Sequence, residues 1–358
     1  MPSAAGSHDE KRVDLVFEGG GVKGIGLAGA VSTLLDRGFQ PQNLAGASAG
    51  AITAALVAAG YTPQELKRII LERDYRRFQD RGWEDRLPVF ERAASVLLDQ
   101  GIYEGQAFLE WMRELLEAKN VAVFGDLVVE EFADDPRYRH KLQVIASDVT
   151  GRRLLVLPRD AGHLGIEPDR LNVSFAIRMS MSIPIFFEPV RVANPATGRE
   201  HLIVDGGMLS NFPVWLFDSD SEPEWPTFGL LLVEPEPRTS VAARLGEPEG
   251  RVHGVGAFVD YLKSLAQTMM EAHDRLYVEK ADYARTIPIR TLGVRTTEFD
   301  LERKRALALY ESGRTAAEEF LETWNFAAYI AEFRSGKEHS RRKEIAAELA
   351  GAQIDTSG

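Results

Sequence analysis

Residues 13–24 read VDLVFEGGGVKG: a short β-type run, Val13–Phe17, that breaks into Glu18 and three consecutive glycines, Gly19, Gly20 and Gly21. From about Lys23 to Arg37 the residues suit a helix, with Leu27, Val31, Leu34 and Leu35 at helical spacing and Gly38 as its stop. Asn43–Ala45 forms a second brief strand, and Ser48 opens an alanine-rich helix that runs to about Ala59. The chain therefore opens as strand, glycine turn, helix, strand, turn, helix, which is the start of a parallel α/β layer.

The pattern continues outward. Lys141–Ser147, Arg153–Leu157, His201–Val204, Phe228–Val233 and Arg285–Ile289 read as strands. Thr62–Gly101 reads as helical and highly charged, with an amphipathic stretch at Val89–Leu98. Gln106–Ala118, Leu171–Ser180, Val255–Arg275 and Leu301–Ile330 also carry helical patterns. The expected fold is a three-layer α/β/α arrangement around a central, mainly parallel sheet. We expect a disordered leader over 1–11, a catalytic domain over 12–290 and a C-terminal helical extension over 291–358.

Composition narrows the chemistry. The 358 residues include no cysteine, which excludes a thiolate nucleophile, a disulfide framework and cysteine-ligated metal. Against 42 basic side chains stand 54 acidic ones, and the net charge of -12 disfavours binding to nucleic acid. Gly38–Gln64 carries no charge and has the length of a membrane span. Gly, Ala, Ser and Thr dominate it, so a buried strand–turn–helix is the expectation. Met1–Lys11 lacks the apolar centre of a signal peptide. These features predict a soluble, cytoplasmic protein.

Three motifs carry chemistry. Gly46-Ala47-Ser48-Ala49-Gly50 matches G-x-S-x-G between a strand and a helix. A nucleophilic serine needs a very tight turn, and Gly46 and Gly50 remove the side chains that would crowd it. The plainer reading makes Ser48 an N-cap. The run Glu18 to Gly24 admits a dinucleotide fingerprint, a phosphate loop or an oxyanion hole. The second strand lacks the acid that a dinucleotide site wants, and Lys23 is followed by Gly24 where a phosphate loop needs Ser or Thr. Upstream of a serine elbow, an oxyanion hole on the amides of Gly19, Gly20, Gly21 and Val22 is the leading reading. The base is expected at Asp205, which ends the apolar run HLIV and precedes Gly206 and Gly207. A partly desolvated carboxylate is basic enough to take a serine proton; the plainer reading is an Asp-Gly turn. Of the seven histidines, His201 lies nearest in sequence, but four strand residues place it about 13 Å from Asp205.

Together these segments resemble the patatin-like phospholipase family. Phe124-Gly125-Asp126-Leu127, Ala146-Ser147-Asp148-Val149-Thr150-Gly151, Ser180-Met181-Ser182-Ile183-Pro184 and Asn211-Phe212-Pro213 add to the likeness. It is strong over Val13–Val214 and weakens towards Ile289. Many members carry Asp where this chain has Glu18, and Arg where it has Lys23. The resemblance implies a Ser–Asp dyad without histidine, with Ser48 as nucleophile and Asp205 as base. It further implies lipid acyl esters as substrates, with no cofactor and no metal in the catalytic step. An esterase, thioesterase or acyltransferase on soluble substrates would share every motif. Some members are switched on by partners or small molecules, and nothing in the C-terminal third identifies one here. Leu66–Arg86, rich in arginine and carrying Tyr75, Phe78 and Trp83, reads either as a solvated helical cap or as a face for transient membrane contact.

Overall fold

The Val13–Phe17 run becomes the centre of an eight-stranded sheet. The computed structural model describes residues 11–72, 101–103, 105–218, 222–234, 280–296 and 298–334. Its main strands are β1 (Arg12–Phe17), β2 (Gln40–Ala47), β4 (Leu142–Asp148), β5 (Arg153–Leu157), β7 (Val190–Ala193), β8 (Glu200–Asp205), β9 (Thr227–Val233) and β10 (Thr286–Arg290). A separate two-stranded ribbon pairs β3 (Gly101–Tyr103) with β6 (Ile185–Phe187). The helices are α1 (Ile25–Asp36), α2 (Ala49–Ala58), α3 (Pro63–Glu72), α4 (Gln106–Glu117), α5 (Val173–Ser180) and α6 (Arg303–Thr323), with shorter turns between.

The sheet runs β10-β9-β1-β2-β4-β8-β7, with β5 on β4. The pairs β10–β9, β9–β1, β1–β2 and β2–β4 are parallel, so the expected α/β class with a mainly parallel sheet is the one observed. Parallel strands are buried on both faces, which is why β1 and β4 read as nearly continuous apolar runs. On one face Val13, Leu15, Phe17 and Leu44 pack beneath Leu27, Val31 and Leu34 of α1 and Ala51, Ala54 and Ala55 of α2. On the other, Val16, Ala45, Ala47, Ile145 and Val156 are covered by Phe212, Val214, Leu216 and Phe217.

The register around β4 decides where the site forms. Leu44–Ala47 of β2 pair with Leu142–Ile145, whereas Ile203–Asp205 of β8 pair antiparallel with Ala146–Asp148. Strand β5 occupies Val144–Asp148 and overlaps both. A strand has two edges, so β2 and β8 must share the edge opposite β5. They run in opposite directions and end against each other between Ile145 and Ala146. Asp205 therefore reaches the end of β2 head-on, along an antiparallel strand.

The uncharged Gly38–Gln64 stretch resolves into β2, α2 and the start of α3. Among the described residues no helix is long and apolar enough to cross a membrane. Strand β2 is longer than Asn43–Ala45, because the polar residues Gln40 to Gln42 still lie along β1, with Pro41 opposite Val13. Strands β6 and β7 escape sequence reading: they are three and four residues long, and among the described residues β7 pairs with β8 alone. In the C-terminal region, α6 lies directly on α1. A Cβ built on Gly29 would stand 1.9 Å from Tyr310 O, and one on Gly313 would stand 1.9 Å from Gly26 O. The helices read at Val89–Leu98 and Val255–Arg275, the aromatic residues Tyr75, Phe78 and Trp83, and the charged tail from Ser335 lie outside the described residues.

Candidate active site

Ser48 follows the last residue of β2 and precedes the first of α2, in a backbone conformation (φ 51°, ψ -127°) that non-glycine residues rarely adopt. Such a conformation costs on the order of 1–3 kcal/mol and persists only where surroundings enforce it. The glycines of the motif supply that enforcement. A Cβ on Gly46 would lie 2.5 Å from Gly50 C, and one on Gly50 would lie 2.5 Å from the carbonyl oxygens of Phe17 and Glu18. The Ser48 side chain makes no capping bond to α2, so the N-cap reading does not describe it. Its Oγ instead donates to Met181 Sδ at 3.6 Å, while its backbone N–H donates to Ser180 Oγ at 2.8 Å.

Asp205 is fully buried, as is Ser48. Its Oδ1 accepts the Gly207 N–H at 2.8 Å, the Asp-Gly turn that the plainer reading foresees. Its Oδ2 is buried with no hydrogen-bond partner. The carboxylate thus serves the turn with one oxygen and keeps the other unbonded. Burial pushes the Asp205 pKa up to about 7, against the opposing pull of the Ser48 hydroxyl and the Gly207 amide. The serine is therefore near enough to stabilise the carboxylate, although its hydrogen bond here points to Met181. A Cβ on Gly206 would stand 2.2 Å from Ile145 O, so a glycine is needed where the chain leaves β8 beside β4.

The glycine loop lies against the elbow: a Cβ on Gly19 would be 3.1 Å from Ser48 Cβ, and one on Gly24 would be 2.9 Å from Ala49 Cβ. Its outer amides are already committed, Gly19 N–H to Asn211 O and Val22 N–H to Thr296 O, both at 3.0 Å. Among the described residues the amides of Gly20 and Gly21 have no such partner. The flanking charges hold the loop. Glu18 Oε2 accepts the Leu232 N–H at 2.5 Å, and Asn211 Nδ2 donates to Gly19 O at 3.1 Å. Lys23 is buried and pairs with Glu234 at 3.0 Å. Glu234 also accepts from Thr291.

His201 is distant from this constellation. It is buried and bonded through Nδ1 to Asp148 Oδ2 at 2.7 Å, a satisfied strand residue. Sequence reading gives no role to Ser180, Met181 and Asn211, which touch Ser48 or the glycine loop. Their only signal is membership of the short segments that resemble the family. Among the described residues no group of three or more His, Asp and Glu side chains could hold a metal ion.

A family model described as patatin-like phospholipase matches residues 15–218. The chain is 37% identical over 314 residues to the uncharacterized protein YqhO of Bacillus subtilis (strain 168), covering 88% of this chain and 99% of that one. It is 23% identical over 209 residues to the probable lipid hydrolase 463L of Invertebrate iridescent virus 6, covering 56% of this chain and 61% of that protein. Among solved structures, VipD from Legionella pneumophila superposes with a TM-score of 0.49 at 18% identity, over 88% of this chain and 67% of VipD. The chain belongs to the patatin-like phospholipase family. At the level of that family it is a lipid acyl hydrolase.

Proposed function

We propose that the protein hydrolyses carboxylic ester bonds of phospholipids or related acyl lipids through a Ser48–Asp205 dyad and an acyl-enzyme. The observation that carries this reading is the end-to-end meeting of β2 and β8. It sets an uncapped serine hydroxyl beside a buried carboxylate with one unbonded oxygen. Ionised Asp205 takes the Ser48 proton as Oγ attacks the ester carbonyl carbon. The resulting oxyanion is held by the Gly20 and Gly21 amides, whose neighbours Gly19 and Val22 are bonded elsewhere. Collapse of the tetrahedral species breaks the ester C–O bond, and the departing alcohol takes the proton from Asp205. Water then attacks the acyl-enzyme, giving its proton to Asp205, which returns it to Ser48 Oγ as the carboxylic acid leaves.

The alternative, a soluble ester or thioester as substrate, uses the same residues. A panel of phospholipids and soluble acyl esters, assayed with wild type and Ser48→Ala, separates the two. We expect fatty acid release from phospholipid by wild type and its loss by several orders of magnitude in Ser48→Ala. Turnover of the soluble esters alone would reassign the substrate.

A further inference from the structure

One short turn touches both members of the dyad. Ser180 Oγ accepts the Ser48 N–H at 2.8 Å and donates to Ile145 O at 2.6 Å. Met181 Sδ accepts the Ser48 hydroxyl. Ser182 O accepts the Asp205 N–H at 2.9 Å. The turn is itself anchored, because the buried Arg178 donates through Nη1 to Ser182 Oγ at 2.5 Å and through Nη2 to Glu188 O at 3.1 Å. Ser180 and Ser182 are completely buried.

We infer that Ser180 is a positioning residue for the nucleophile: its hydroxyl ties the strained Ser48 backbone to β4, while the same turn fixes Asp205. The inference rests on the Ser48–Asp205 reading above. The physical argument concerns the elbow. The Ser48 amide belongs to the one residue of the motif held in a left-handed conformation, and it faces a protein interior where an unpaired N–H is costly. Without an acceptor at Ser180, the elbow relaxes towards ordinary dihedrals and swings Oγ away from Asp205. The effect falls on the nucleophile, and moving Oγ away from Asp205 also takes from the carboxylate the hydroxyl that opposes its raised pKa.

The test is the rate of covalent labelling by an alkyl fluorophosphonate, measured from pH 5 to 9, on wild type, Ser180→Ala, Ser180→Cys, Ser48→Ala and Ser32→Ala. Ser32 is an equally buried serine whose Oγ donates to Ala28 O within α1, remote from the site. We expect Ser180→Ala to label roughly 10–100-fold more slowly, as loss of one buried hydrogen bond implies. The acid limb near pH 7 should move upward, because Asp205 loses the opposing pull of the Ser48 hydroxyl. Ser180→Cys, with similar volume and a sulfur that accepts the Ser48 N–H only weakly, should fall between them, and it carries the comparison if alanine unfolds the chain. Ser32→Ala should label like wild type. Labelling of Ser180→Ala within threefold of wild type, or an acid limb moved below that of wild type, would overturn the inference. If Ser48→Ala labels normally, the dyad reading itself fails.

Discussion

Asp205→Asn is expected to lose at least 10³-fold in kcat and yet to be more stable than wild type at pH 8–9. The loss follows from removing the base beside Ser48, on the order seen when a catalytic partner is deleted. The gain follows from burial. Burial lifts the Asp205 pKa to about 7, far above the ordinary carboxylate value of 3.8. Between those two pH values the folded protein binds a proton that the unfolded chain does not. Stability therefore falls as pH rises through this window, and above it the folded state carries a buried charge. Asparagine keeps the acceptor for the Gly207 amide and removes that charge. At pH 8–9 we expect a gain of order 2–4 kcal/mol, since each pKa unit carries about 1.36 kcal/mol. The gap should narrow as pH falls through 7 and close only near 3.8, where the unfolded chain takes up the proton as well. Asp14, at the far end of β1, is also buried and raised to about 7, but it is present in both proteins and cancels in the difference. The same titration sets activity: wild-type kcat/KM should fall about tenfold per pH unit below 7 and level off above 8. Thermal unfolding and pH–rate profiles of the two proteins test both halves. A variant less stable than wild type at pH 9 would contradict the burial argument.

The second large effect is expected from adding one methyl group. Gly21 has φ +54°, and a Cβ there would stand 2.2 Å from Thr296 O, the atom that accepts the Val22 N–H. Gly21→Ala must push the loop off Thr296 and turn the Gly20 and Gly21 amides away from the position an oxyanion would occupy. Loss of one such donor costs about 10²–10³ in kcat, and KM should change far less. Gly38→Ala is the control: its φ of +83° imposes a comparable backbone penalty, with nothing within 4 Å of the added atom and no part in the site. Its kcat should match wild type. If Gly21→Ala kept kcat within threefold, the loop amides would not be the oxyanion donors.

Much of this was legible in the chain. The apolar runs at Val13–Phe17 and Phe228–Val233 are central strands buried on both faces, and such strands announce themselves by composition. The elbow and the Asp-Gly-Gly turn are legible because their glycines occupy places where backbone touches backbone, at Gly46, Gly50 and Gly206. The direction of β8 is not legible. A strand's pattern is the same read parallel or antiparallel, so the head-on approach of Asp205 to Ser48 appears only in the register against β4. Nor does the sequence distinguish the Gly20 and Gly21 amides from those of Gly19 and Val22. That distinction comes from Asn211 and Thr296, which lie about 190 and 270 residues downstream. Ser180 is one small polar residue at the end of an apolar helix, and its acceptor role exists only once α5 packs against β4 and α2.

The central claim is that Ser48 is the nucleophile, and trapping the covalent species tests it most directly. Wild-type protein is incubated with an alkyl fluorophosphonate, digested, and the modified residue located by mass spectrometry. We expect a single adduct on the peptide containing Gly46 to Gly50, carried by Ser48 and absent from both Ser48→Ala and Asp205→Asn. An adduct on another residue, or undiminished labelling of Ser48→Ala, would contradict it.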